Sequence, residues 1–243
     1  MTSPAAAHKQ RIEAQQSQAE ASEGTRDANA YELMLMQLAE DKRTLKTLQS
    51  TELKIAKKRE LLPNYAPWVQ GVLEGRQGVQ DDVLMMVLVW TIDIGDFNAA
   101  LQISAYAFEF DLKLPDQFDR TLATLVAEEM AEGALKIITQ KQPVDVDALG
   151  QCLTLTENQD MPDQVRAKLH KAIGLSLTES NPANALQQLQ RALALHDKVG
   201  VKKEIEGLER VLKKAATNTT TEVTVEPTPD SQPDMAAGDT AAA

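Results

Sequence analysis

The segment Val83-Leu84-Met85-Met86-Val87-Leu88-Val89-Trp90-Thr91-Ile92 decides the fold. It is the most apolar run of the chain, and it is apolar on every side. A helix with no polar face must be buried, so this one belongs at the centre of the molecule. It is too short to span a bilayer, which needs about 20 residues. Gly95-Asp96 breaks the run, and Asp96 is suited to cap a second helix over Phe97–Phe110. In that helix Ala100, Ile103, Ala107 and Phe110 recur at helical spacing, and Leu114-Pro115 stops it. A tightly packed helical hairpin within Asp81–Leu114 is therefore the expected centre, with basic segments to either side.

Composition points the same way. The chain has 243 residues, enough for one or two domains with a real core. Hydrophobic residues make up 43% and aromatic residues 4%, while the 11 glycines and 10 prolines fall mostly between periodic runs. That balance favours helix. The expected class is all-α: a long N-terminal helix, then packed helical hairpins, tetratricopeptide-like in the C-terminal half, with disordered ends. The one cysteine, Cys152, excludes an internal disulfide and a cysteine-based zinc cluster. Met1–Gln10 has no apolar core of a signal peptide, and no run is long enough for a membrane span, so a soluble cytoplasmic protein is expected.

The net charge of −11 is unevenly spread. Residues 1–80 carry 11 bases and 10 acids, whereas residues 81–163 carry 4 bases and 16 acids. Residues 164–216 carry 10 bases and 5 acids, and residues 217–243 carry 5 acids and no base. An acidic waist thus separates two more basic parts, and a polyanion is repelled from the waist and tolerated only at the ends.

Five segments follow. Residues 1–27 have no apolar stripe beyond Ile12 and read as a flexible arm. Residues 28–78 hold a long basic helix and a connector. In Ala28–Leu62, positions Tyr31, Met34, Leu38, Asp41, Leu45, Leu48, Glu52, Ile55, Arg59 and Leu62 alternate three- and four-residue steps, and Pro63 ends the run. In the connector Trp68 and Leu73 read as core anchors, and Gly71, Gly75 and Gly78 as loosening elements. Residues 79–160 form the central core. Residues 161–215 form a C-terminal hairpin domain, in which Asn181-Pro182 is a strong helix start. Residues 216–243 read as a disordered acidic tail. A weak repeat aligns Asn98–Gln102 with Ala183–Gln187 at an offset of 85, pairing Ala107 with Ala192.

Chemistry-bearing residues are few. Lys42, Arg43, Lys46, Lys54, Lys57, Lys58 and Arg59 crowd the later turns of the basic helix. On one helix Lys54, Lys57 and Lys58 are neighbours, a cation cluster of the size that a phosphate backbone engages. The same residues also fit a solvated helix face whose cations answer the helix dipole. Lys9 and Arg11 could add contacts from the arm. No Walker-type phosphate loop is present. His8, His170 and His196 are too scattered for a metal site or a Ser-His triad. A metal-dependent nuclease would have to draw on Asp81-Asp82, Asp93, Asp96, Asp111, Lys113, Asp116 and Glu128-Glu129, several of which serve equally well as helix-start acids.

Tyr31-Glu32, Met34-Leu35, Arg43–Lys46, Glu52-Leu53-Lys54 and Ala56–Pro63 resemble the N-terminal half of a terminase small subunit, of the type carried by temperate, contractile-tailed, cohesive-end phages. Gln80-Asp81-Asp82, Gly95-Asp96, Met161-Pro162-Asp163, Val165–Lys171 and Gly200–Glu206 continue the resemblance, which covers roughly residues 31–213. It implies packaging of viral DNA into empty capsids in the host cytoplasm. It also implies recognition of the viral end site, assembly as a ring-like homo-oligomer, and delivery of double-stranded DNA to a large subunit with the ATPase and, usually, the nuclease. Proteins of this family are often labelled terminase endonuclease subunits, so an intrinsic metal-dependent endonuclease is the alternative, and Mg²⁺ is an expected cofactor only under it. The family pattern often ends in a basic tail. This chain is acidic from Glu222 to Asp239, which moves expected DNA binding to the N-terminal half.

Overall fold

The computed structural model describes residues 3–22 and 28–221. Among them lie eleven α-helices and no strand: α1 (Pro4–Ser22), α2 (Ala28–Thr47), α3 (Thr51–Leu61), α4 (Ala66–Gly75), α5 (Asp82–Asp93), α6 (Phe97–Glu109), α7 (Leu122–Thr139), α8 (Val146–Leu155), α9 (Asp163–Ser176), α10 (Pro182–Leu195) and α11 (Lys202–Thr221). A 3₁₀ turn, Leu62–Asn64, joins α3 to α4. The all-α class holds. No helix among the described residues is long and apolar enough to cross a membrane.

Helix α5 is the centre, as its sequence requires. Val83–Leu88, Trp90, Thr91 and Ile92 are all buried. Asp81, itself buried, caps the helix by accepting from the Leu84 amide at 2.9 Å. Gly95 takes φ +81°, a conformation that favours glycine, and turns the chain. Asp96 then caps α6 by accepting from the Ala99 amide at 3.2 Å. Helices α2, α6 and α7 pack on α5, and α8 and α9 close the core from the far side.

A second, smaller cluster holds Ala185, Leu189 and Ala192 of α10 against Val199, Val201, Ile205 and Leu208. Helix α9 faces both clusters: Leu169 and Ile173 join the main core, Ala167 the smaller one. Both copies of the weak repeat lie on the second helix of a hairpin, α5–α6 and α9–α10. Ala100, Ala107, Ala185 and Ala192 are fully buried, as close helix approach demands. However, α6 packs on α5 and α8, whereas α10 packs on α9 and α11, so the copies sit in different parts of the fold.

Three expectations need correction. The arm is helical over Pro4–Ser22, and this helix lies against α4. Its packed face is small and polar: Ala14, Ser17 and Gln18 are buried. Gly71 makes the approach possible, because a Cβ there would stand 2.3 Å from the Arg11 carbonyl oxygen and 2.7 Å from the Ala14 Cβ. Gly71 is therefore a seat for α1 rather than a loosening element. Secondly, the long helix over Ala28–Leu62 is interrupted at Leu48–Ser50. Ser50 caps α3 by accepting from the Leu53 amide at 3.4 Å, and the break rotates the buried stripe from Met34, Leu38 and Leu45 to Leu61. Thirdly, α11 continues through Ala216–Thr221, the start of the expected tail. Residues 23–27 of the arm and 222–243 of the tail lie outside the described residues.

Candidate nucleic-acid interface

The seven basic residues of residues 42–59 divide into two groups. Lys58 on α3 forms an ion pair with Asp93 at the C-terminal end of α5. Beside it Arg59 donates to the Ile94 carbonyl at 3.1 Å. Both cations thus sit at a helix C-terminus, where the unsatisfied carbonyls and the dipole attract positive charge. Lys58 and Arg59 fasten α3 to the central helix.

The others face outward. Arg43 is exposed and pairs with Glu40 one turn earlier at 2.9 Å. Lys57 pairs with Glu60 at 2.8 Å, which raises the pKa of its ammonium, chiefly through that hydrogen bond. Lys42 donates to Gln117 Oε1 at 2.8 Å. Lys46 and Lys54 have no hydrogen bond or ion pair to any described residue. Lys42, Arg43 and Lys46 also line a cleft of about 330 Å³, together with Asp82, Met86 and Pro115. In the arm Lys9 pairs with Glu13 at 3.5 Å, and Arg11 lies 3.8 Å from Glu74.

Trp68 is 1% exposed, so it packs rather than stacks on a base. Its indole N–H donates to Asp81 Oδ2 at 3.1 Å, and its ring stacks on Tyr31 at 6.0 Å. Gln18 of α1 donates to the same Asp81 oxygen at 3.0 Å. Asp81 therefore ties α1, α4 and α5 together, a role that residue spacing alone did not reveal.

The acidic waist is organised by ion pairs. Lys168 on α9 reaches Glu128 at 3.2 Å and Glu132 at 2.6 Å, both on α7. Arg120 also pairs with Glu128, and lies 3.4 Å from Glu129. Burial opposes ionisation of Glu128, but the hydrogen bonds from Lys168 and Arg120 outweigh it and lower its pKa. For Glu129 burial dominates and raises the pKa against the pull of Arg120, with Asp93, Glu132 and Glu128 adding repulsion. Among the described residues no three His, Cys, Asp or Glu side chains gather where they could hold a metal ion. Of the nuclease candidates, Asp81 and Asp96 are helix caps, Asp93 belongs to Lys58, and Glu128 and Glu129 face Arg120.

The profile of the family "Phage small terminase subunit" matches residues 35–164, more than half of the chain. The chain belongs to this family. It is 49% identical over 214 residues, 88% of its length and 87% of the other, to the "Terminase, endonuclease subunit" of Escherichia phage P2. It is 25% identical over 193 residues, 73% of its length and 69% of the other, to the "Probable terminase, endonuclease subunit" of Haemophilus phage HP1 (strain HP1c1). No solved structure matches. Membership of the small terminase family makes the chain a terminase subunit of phage DNA packaging. The matched stretch includes α3, the α4–α5 junction and the ion-paired waist.

Proposed function

We propose that this terminase subunit recognises viral double-stranded DNA at the packaging end site, associates with itself in a ring-like assembly, and brings the DNA to the large subunit. The phosphate contacts fall to Lys42, Arg43, Lys46, Lys54 and Lys57, while Lys58 and Arg59 hold their helix in position. The observation that carries this reading is the pair of ammonium groups, Lys46 and Lys54, that flank the α2–α3 break without a partner among the described residues. Two uncommitted cations at a bend suit a curved phosphate backbone, and repetition around an oligomer multiplies a weak site. The acidic waist repels DNA from the middle of the chain.

Self-association is supported by Leu33 and Met36, 65% and 69% exposed and adjacent on one face of α2. The word endonuclease in the relatives' names is read as participation in cutting by the assembled terminase, in the host cytoplasm.

Fluorescence anisotropy with a duplex carrying the phage end site tests the proposal. The full chain should bind it, and Lys46→Ala with Lys54→Ala should weaken binding about tenfold or more at low salt. Unchanged affinity would remove this face from consideration. Incubation of the same duplex with the chain and Mg²⁺ tests the alternative, an intrinsic endonuclease. Cutting without the large subunit would establish that alternative.

A further inference from the structure

The α9–α10 hairpin carries a second cationic site, which the sequence did not single out. A cleft of about 380 Å³ is lined by Leu153, Thr154, Glu157, Arg166, His170 and Arg191. Three elements meet there: the end of α8, the middle of α9 and the middle of α10. Two guanidiniums and an imidazole stand against one carboxylate, so the lining is net positive inside a largely acidic molecule.

Each basic group is held differently. Arg166 donates to the carbonyls of Thr156 at 3.0 Å and Gln159 at 2.8 Å, which fixes its guanidinium at the end of α8. A guanidinium has five N–H donors, and these two bonds leave others free. His170 is 9% exposed, and its Nδ1 lies 2.7 Å from Gln188 Oε1. The Gln188 amide donates to Asn184 Oδ1 at 3.3 Å, so its oxygen faces the imidazole and Nδ1 is the donor. Nε2 is then the nitrogen that gains a proton when the ring becomes charged. Burial lowers the His170 pKa, Gln188 opposes this, and Arg191 and Arg166 lower it further. Arg191 is exposed and has no hydrogen bond or ion pair to any described residue. Lys168, on the same helix, is committed to Glu128 and Glu132 of α7.

Three cationic or protonatable groups packed around a cleft repel one another, and Glu157 offsets only part of that repulsion. An anion with several oxygens relieves it by accepting from both guanidiniums and from a protonated Nε2. We infer that this cleft is an oxyanion site that takes a phosphate group between Arg191, Arg166 and His170. The phosphate belongs either to a DNA backbone, which rests on the proposed DNA-binding role, or to a free phosphate ion or phosphomonoester.

The test uses the full chain with ¹⁵N-labelled histidine. Inorganic phosphate is titrated at constant ionic strength, with chloride as the counter-titration. The expected result is a saturable shift of the His170 ring signals in phosphate, with His8 and His196 unmoved. Arg191→Gln should weaken that response about tenfold, as loss of one charge-assisted bond does. A His170 signal that moves equally in chloride, or equally in Arg191→Gln, overturns the site. A second arm measures duplex affinity of Arg191→Gln. A loss that is largest at low salt assigns the phosphate to the DNA backbone. Unchanged duplex affinity with an intact phosphate response assigns it to a free phosphate. The phosphate arm contains no DNA, so its failure leaves the α2–α3 proposal standing, and failure of duplex binding leaves the phosphate result standing.

Discussion

Lys58 is paired with Asp93, thirty-five residues further on, and the pair joins α3 to the end of the central helix. The Lys58 side chain is 16% exposed and that of Asp93 33%, so solvent screens the pair only in part. A double-mutant cycle with Lys58→Ala and Asp93→Ala should give a coupling of about 1 kcal/mol in chemical denaturation. A coupling indistinguishable from zero would return Lys58 to the group of free surface cations.

The seat of α1 makes a separate prediction. Gly71→Val places carbon atoms where the Arg11 carbonyl and Ala14 now lie. Overpacking of this kind costs roughly 1–3 kcal/mol, and the lost contact is that of α1. Limited proteolysis should then cut within residues 4–22, while α5 to α9 stay protected. Cleavage of the variant at the wild-type rate would contradict the close α1–α4 approach.

How far the sequence revealed this architecture depends on which force acts at each place. The buried α5 run, the Gly95-Asp96 turn and the Asn181-Pro182 start are local signals, and each stands where residue pattern placed it. Helix α1 was hidden because its packed face is Ala14, Ser17 and Gln18, which no hydrophobic periodicity marks. The only written sign of it was Gly71 and Gly75 spaced one turn apart. The interruption at Leu48–Ser50 was masked by apolar residues that continue at helical spacing through it, although Ser50 is a good cap. The division of the cations was invisible because Asp93 and Ile94 are distant in sequence from Lys58 and Arg59. Likewise, Arg166, His170 and Arg191 come together only when α9 and α10 fold back on each other.

The two neighbouring glutamates of α7 should respond oppositely to neutralisation. Glu128 has a lowered pKa in the fold, so its charge stabilises above the ordinary carboxylate pKa, and that stability is lost as pH falls through the lowered value. Glu129 has a raised pKa, so it favours the fold below the ordinary value, and that contribution is lost as pH rises through the raised one. At neutral pH Glu128→Gln should therefore lower the Tm and Glu129→Gln should raise it. Both differences should shrink in acid, where the wild-type carboxyls are also neutral. Thermal melts at neutral and acidic pH check this, and equal effects of the two substitutions would contradict the ion-paired arrangement.

Leu33 and Met36 provide a test of assembly. Replacing both with Glu puts two charges on the exposed apolar face of α2. Analytical ultracentrifugation should then find a smaller species than for wild type, with the helical circular dichroism unchanged. An unaltered mass would exclude this face from the self-contact.

The salt dependence of binding to the end-site duplex tests the central claim most directly. Each phosphate neutralised contributes about 0.9 to the slope of log affinity against log salt. Lys46→Ala with Lys54→Ala should flatten that slope by about two, while Lys58→Ala leaves it unchanged. A slope that survives loss of Lys46 and Lys54, or that flattens equally on loss of Lys58, would contradict the division of these cations into grip and clamp.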